Sequence, residues 1–251
     1  MAIVVFDSGR GPPDLDSAPD SFVRYYIKAL PAPAATRVRN EAAAVILAAG
    51  GAVRMGCPKP LLFVGDETFL ARLIRLYRPQ VDALVVVLGD DSGKIESAIP
   101  LDSARVLYNR KPEDGPLSSL KLALEAVRGS SGLMLHPVDH PLVGEGTIEK
   151  LLRTHRARPG CILLPRFRGR NGHPVLFPSK FFPDLERAPL EVGARAVTRR
   201  YRACALTVPT DDPGILINID TQEEYWRRFG FPPLDRRVLQ LRQPPPACLL
   251  R

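Results

Sequence analysis

The sequence predicts an α/β domain of three layers, a doubly wound and mostly parallel sheet covered by helices on both faces. Three observations predict it. Short apolar runs alternate with helical patterns through the middle of the chain, as successive strand–helix units do. The runs are continuous rather than alternating, which is the pattern of strands buried on both faces. Glycine-bearing and charged segments follow the ends of these runs, where ligands sit in open α/β sheets.

The strands read as AAVILAA at 43–49, ALVVVLG at 83–89, ARVLYN at 104–109, GLMLHPV at 132–138 and CILLPRF at 161–167. Helical patterns follow at 68–78, 116–127 and 146–157. A short apolar strand comes after Gly172, His173 and Pro174, and the run ILINID precedes a last helix. Proline marks the limits of the domain: 10 of the 26 prolines lie in residues 1–40 and 230–251. Residues 1–41 therefore read as an irregular or disordered extension, 42–229 as one folded domain, and 230–251 as a proline-rich tail.

The net charge of +8 suggests nucleic acid until it is divided along the chain. About half of the excess lies in the two terminal segments. The remainder has no dense basic stretch with interleaved aromatics, so it fits a pocket for polyanionic small molecules better than a duplex-binding face. No apolar run reaches the roughly 18 residues of a membrane span, and MAIVVFDSGR lacks the basic start of a secretory signal. Cys57, Cys161, Cys204 and Cys248 are widely spaced, as free thiols of a reducing compartment are. A cytoplasmic protein without nucleic-acid or membrane partners is expected.

After the first strand the chain runs LAAGGAVRMGCPKPLL. Gly50 and Gly51 allow a tight turn that turns backbone N–H groups toward a phosphate, with Leu47, Ala48 and Ala49 leading into it. Arg54 and Lys59 add two cations close behind, the mixture of amides and fixed charges that a triphosphate needs. The segment is neither a Walker loop nor a dinucleotide fingerprint. The string LAAG-x-x-x-R-M-G-x-P-K-x-L-L resembles the signature of the molybdenum cofactor cytidylyltransferase family of NTP transferases, and the likeness extends over about 43–229. The resemblance implies a Rossmann-like nucleotidyltransferase fold, a loop that holds the triphosphate, and contacts to it from Arg54 and Lys59. Ala52 stands where family members commonly have serine.

Asp139 follows the strand LMLHPV, and Asp220 ends the run ILINID just before a helix. Two carboxylates at such ends can share Mg2+ with phosphate oxygens. On local grounds alone Asp139 reads as a turn former before Pro141, and Asp220 as a helix N-cap whose capping box Glu223 completes. The resemblance favours metal binding for both, with Asn218 as a secondary ligand. His136 and His140 lie on a strand and a turn rather than on a helix face, so they read as structural or supporting groups, not as a zinc pair.

Gly115, Ser118 and Ser119 open the helix of GPLSSL, where free amides and hydroxyls can read a base edge. The family's equivalent segment lies beside the nucleobase. Arg166, Arg168, Arg170 and His173 belong to a stretch that resembles the family's G-H-P-V-L-F acceptor segment, with Arg170 and His173 the candidates for acceptor binding. The resemblance implies transfer of CMP from CTP to molybdopterin with release of pyrophosphate, and an apo-molybdoenzyme or insertion factor as recipient. A guanylyl- or sugar-phosphate nucleotidyltransferase of the same fold, or a non-catalytic cofactor carrier, is the alternative.

Overall fold

The computed structural model describes residues 42–51 and 54–230. Strand β1 (Ala43–Ala48) is wholly buried. A 3-10 turn at Lys59–Leu61 and the small hairpin of β2 (Phe63–Val64) and β3 (Glu67–Thr68) lead into α1 (Phe69–Tyr77). Then follow β4 (Leu84–Leu88), α2 (Ser92–Ala98), β5 (Arg105–Tyr108), α3 (Pro116–Ala126), β6 (Gly132–Pro137) and α4 (Glu145–Ala157). The second half holds β7 (Ile162–Phe167), β8 (Arg170–Asn171), β9 (Val175–Pro178), α5 (Phe182–Arg187), α6 (Arg195–Arg200), β10 (Ala205–Pro209) and α7 (Gln222–Phe229).

The main sheet runs in the order β10-β7-β9-β6-β1-β4-β5, with β8 paired to β7. β1 pairs in parallel with both β4 and β6. β9 runs against both of its neighbours, so the sheet is mixed but mostly parallel. Alternate residues of β1 feed two cores. Ala44, Ile46 and Ala48 pack with side chains of α1, α2, α4 and α7, whereas Ala43, Val45 and Leu47 pack with those of α3, α5 and α6. These are the three layers that continuous apolar strands require.

All five strand runs read from the sequence are strands, and the three helical patterns are helices, each within two residues of the expected ends. ILINID departs from expectation. Residues 213–216 form a 3-10 turn and Ile217–Asp220 is irregular, so Asp220 is not at a strand end. The helix after it is capped by Thr221, whose side chain accepts from Glu224 N–H while the Glu224 carboxylate accepts from the Thr221 N–H. The capping box is thus one residue later than Asp220 and Glu223. Short α2, α5, α6 and β10 carry too few buried positions to leave a period in the sequence. The proposed extension and tail lie outside the described residues. No described helix is long and apolar enough to cross a membrane, and Cys57, Cys161 and Cys204 are free thiols.

Candidate active site

Because β6 lies beside β1 with Pro137 opposite Leu47, the turn after β6 emerges next to the loop after β1. The Val138 N–H donates to the Leu47 carbonyl at 3.0 Å. Arg72 of α1 donates to the Pro141 carbonyl at 2.9 Å and holds the turn from the other side. The Ile219 N–H donates to the Asp139 carbonyl at 2.9 Å, which brings the segment carrying Asp220 to the same place.

Four charged side chains converge there. The Lys59 ammonium forms a close ion pair with Asp220 Oδ1 and lies 3.7 Å from Asp139 Oδ2. Arg54 Nη2 approaches Asp220 Oδ1 at 3.9 Å, with its side chain 70% exposed against 14% for Lys59. Asn218 Nδ2 donates to the other oxygen of Asp220 at 2.9 Å, so it orients that carboxylate. His140 Nδ1 lies 2.8 Å from Asp139 Oδ1. Burial would push the Asp139 carboxyl up, but the hydrogen bond from His140 and the charges around it, Lys59 among them, hold it below the usual range. Asp139 is therefore an ionised, partly shielded carboxylate. It also sits in the turn closed by the His140 N–H donating to the Pro137 carbonyl at 3.2 Å, as the local reading expects.

Behind this cluster lies a buried polar chain. His136 is fully buried, its Nε2 lies 2.9 Å from the His140 carbonyl oxygen, and its Nδ1 lies 2.8 Å from the Tyr77 hydroxyl. A carbonyl only accepts, so Nε2 carries the hydrogen and Nδ1 accepts from Tyr77. Burial pushes His136 down to about 3. The unfolded chain binds a proton near pH 6.5 that the folded state excludes, so this contribution to stability is complete above that pH and is lost as the pH falls toward 3. Chemical denaturation should lose about 2 kcal/mol from this one group by pH 5. His136→Gln should start less stable but show a flatter slope between pH 6.5 and 5; an unchanged slope would refute the assignment.

His173 packs against His140 with ring centroids 4.7 Å apart and the rings tilted by 59°. Its neighbour Gly172 has no room for a side chain, since a Cβ there would overlap the Ile215 carbonyl, and the His173 N–H donates to that same carbonyl at 3.0 Å. Burial above all pushes His173 down to about 4, so it is neutral near pH 7. Its Nδ1 is buried without a hydrogen-bond partner among the described residues. Arg166, Arg168 and Arg170 are exposed on the β7–β8 hairpin, with the Arg168 guanidinium 5.2 Å from the centre of the Phe167 ring. No described hydrogen bond or ion pair joins Arg170 to the carboxylate cluster, so the structure brings His173 to it but not Arg170.

The expected base-reading residues divide. Gly115 adopts φ +87° and starts α3, a conformation that favours glycine. Asn109, which sequence reasoning passed over, is buried at the end of β5. Its Nδ2 donates to Ser118 Oγ at 2.7 Å and Ser119 Oγ at 2.9 Å, and its Oδ1 accepts from the Lys111 N–H at 2.9 Å. Ser119 is only 3% exposed, so its hydroxyl is turned inward and holds the loop rather than facing a ligand. Ser118 is half-buried and also donates to the Gly115 carbonyl at 2.7 Å. The signal that could have found Asn109 is its place, a polar residue directly after a parallel strand. Leu47, Ala48 and Ala49 are buried, leaving only their backbone to meet a ligand. Gly50 and Gly51 are exposed, with open space where side chains would be. Ala52 lies outside the described residues.

Two exposed glycines after the first strand, two cations and two carboxylates thus gather at the carboxyl edge of a mixed, mostly parallel sheet. A family profile described as "MobA-like NTP transferase domain" matches residues 44–205. The chain belongs to that family. Members similar to it include the molybdenum cofactor guanylyltransferase of Sinorhizobium fredii, 33% identical over 194 residues, which span 72% of this chain and 88% of that one. The enzyme of the same name from Rhizobium meliloti is 33% identical over 198 residues, 72% and 87% of the two chains. Among solved structures, Rv0371c of Mycobacterium tuberculosis superposes with a TM-score of 0.63 at 28% identity, covering 76% of this chain and 98% of the other. The family is one of nucleotidyltransferases, and the Rossmann-like α/β fold expected from the sequence is the fold observed.

Proposed function

We propose that this protein transfers a nucleoside monophosphate from a Mg2+-bound NTP to the phosphate of a pterin-type cofactor and releases pyrophosphate. The observation that carries this reading is the convergence of Lys59 and Arg54 with Asp139 and Asp220 at one edge of the sheet. The donor set fits a hard divalent cation: two carboxylates with a cationic group already between them. Among the described residues no group of three or more candidate metal ligands occurs, and Mg2+ commonly completes its shell with phosphate oxygens and water. When bound, it would supply charge neutralisation at the phosphates. One solved structure of Rv0371c is described as a complex with manganese; it is 27% identical to this chain, with a TM-score of 0.59, and covers 74% of this chain and 97% of that one. The names of the curated relatives support a molybdenum cofactor acceptor.

In the proposed reaction an acceptor phosphate oxygen attacks the α-phosphorus in line and the bond to pyrophosphate breaks. The attacking phosphate is already ionised, so no strong base is required. Lys59, Arg54 and the loop amides position the triphosphate and oppose its charge. Asn218 and His140 orient the two carboxylates. His173, neutral and packed against His140, would serve the acceptor side, with Arg170 an exposed cation of the same segment for an anionic acceptor. An apo-molybdoenzyme or insertion factor would be the recipient of the product.

For the nucleotide we propose CTP. What supports CTP is the likeness of the LAAG loop and of the G-H-P-V-L-F segment to the cytidylyltransferase family. GTP is the second reading, favoured by the names of the relatives. Pyrophosphate release with CTP and GTP decides between them, and its absence with every NTP and a competent acceptor would leave only a carrier.

A further inference from the structure

We propose that Lys59 occupies the position of the divalent cation when the site is empty, so that metal and nucleotide must load together. The inference rests on the metal–nucleotide reading above and adds the order in which the site fills. Lys59 Nζ pairs with Asp220 Oδ1 and lies 3.7 Å from Asp139 Oδ2, between the two carboxylates. Its side chain is 14% exposed, so the ammonium is seated in the site rather than waving in solvent. The other nearby cation, Arg54, touches Asp220 alone, at 3.9 Å, and is 70% exposed. Lys59 is therefore the principal charge neutralising the two carboxylates.

Two carboxylates brought together by turns from different parts of the chain repel each other unless a cation lies between them. The ammonium meets that need, but in doing so it competes with any metal ion arriving alone. Such an ion would find two ligands already paired, and it would feel a positive charge a few ångströms away. A triphosphate changes both terms. Its oxygens offer Lys59 new acceptors for its three N–H donors and offer the metal further hard ligands. Lys59 begins the 3-10 turn Lys59–Leu61 directly after Pro58, so its backbone is held while its four-carbon stem can carry the ammonium from carboxylate to phosphate. Metal and nucleotide then favour each other's binding by the same factor, as linkage requires.

The consequence is that removing a lysine assigned to triphosphate binding should strengthen metal binding. Mn2+ titration followed by electron paramagnetic resonance tests this on the full-length protein, with no nucleotide present. Lys59→Met keeps the stem and removes the charge, and should bind Mn2+ alone about tenfold or more tightly than the parent. The gain should vanish in the double variant with Asp139→Asn, which locates it at this site. The same Lys59→Met protein should bind the NTP more weakly and show less mutual enhancement between Mn2+ and NTP. Lys59→Gln serves in its place should the methionine variant melt well below the parent. Unchanged or weaker Mn2+ binding by folded, uncharged variants would overturn the place-holder role. If the parent binds Mn2+ with NTP while the variants show no gain for Mn2+ alone, this inference alone fails. If no protein binds Mn2+ even with CTP or GTP, the metal–nucleotide reading falls and takes the inference with it.

Discussion

Asp139→Asn should lower turnover by about 10²–10³-fold while leaving the fold intact, the scale of losing one group that stabilises transferring phosphate charge. The substitution keeps the shape of the side chain and removes its charge. Two interactions of the Asp139 side chain are weakened, the pair with Lys59 at 3.7 Å and the charge-assisted bond with His140 at 2.8 Å. Lys59 keeps Asp220, and the backbone bond from the Ile219 N–H to the Asp139 carbonyl at 2.9 Å does not involve the side chain. The melting temperature should therefore change little. Mn2+ affinity measured with nucleotide should fall along with turnover. Near-normal turnover in a well-folded Asp139→Asn protein would sink the two-carboxylate site and most of the mechanism.

Lys59→Ala should cost a similar factor of about 10²–10³ in turnover, for a different reason. It removes the cation proposed to meet the triphosphate, so nucleotide affinity should fall with turnover. It also leaves Asp139 and Asp220 without their principal neutralising charge in the empty state. The double variant with Asp139→Asn should lose far less than the product of the two factors, because both groups act on the same developing charge. A fully multiplicative loss would show that they act on separate steps. Pyrophosphate release and melting temperature, measured on the same preparations, separate these outcomes from simple loss of fold.

Much of this was legible in the residues. Wholly buried parallel strands need apolar side chains on both faces, so β1, β4 and β6 stand out as unbroken runs in the sequence. The loop after β1 and the carboxylates Asp139 and Asp220 are legible as residue types at element ends. The helix cap was misphased because IDTQEE contains two overlapping capping boxes, Asp220 with Glu223 and Thr221 with Glu224. Local rules do not choose between them. The choice follows from groups outside the cap: Lys59, far off in the chain, and Asn218 occupy the Asp220 carboxylate, and Gln222 Nε2 donates to the Met55 carbonyl at 3.0 Å, which ties the first turn of α7 to the loop after β1. Thr221 is left to cap. The surroundings of the serines of GPLSSL are hidden from the sequence for a related reason. Their hydroxyls are taken by Asn109, which arrives from the end of β5 and cannot be weighed from the helix start alone.

What the sequence by itself determined is the class of the fold, the loop, and the kinds of charge the site contains, because each depends on burial period and turn chemistry within a short span. Only the tertiary structure decided which of those charges meet. The sheet order sets β6 beside β1, with β9 running against β6 on its other side. That order delivers Asp139 to Lys59, and the bond from Ile219 to the Asp139 carbonyl then delivers Asp220. The His136 tautomer and the seat of the Lys59 ammonium between two carboxylates follow from the same order. They are properties of spacing in three dimensions, and Coulomb and hydrogen-bond energies respond to that spacing rather than to distance along the chain.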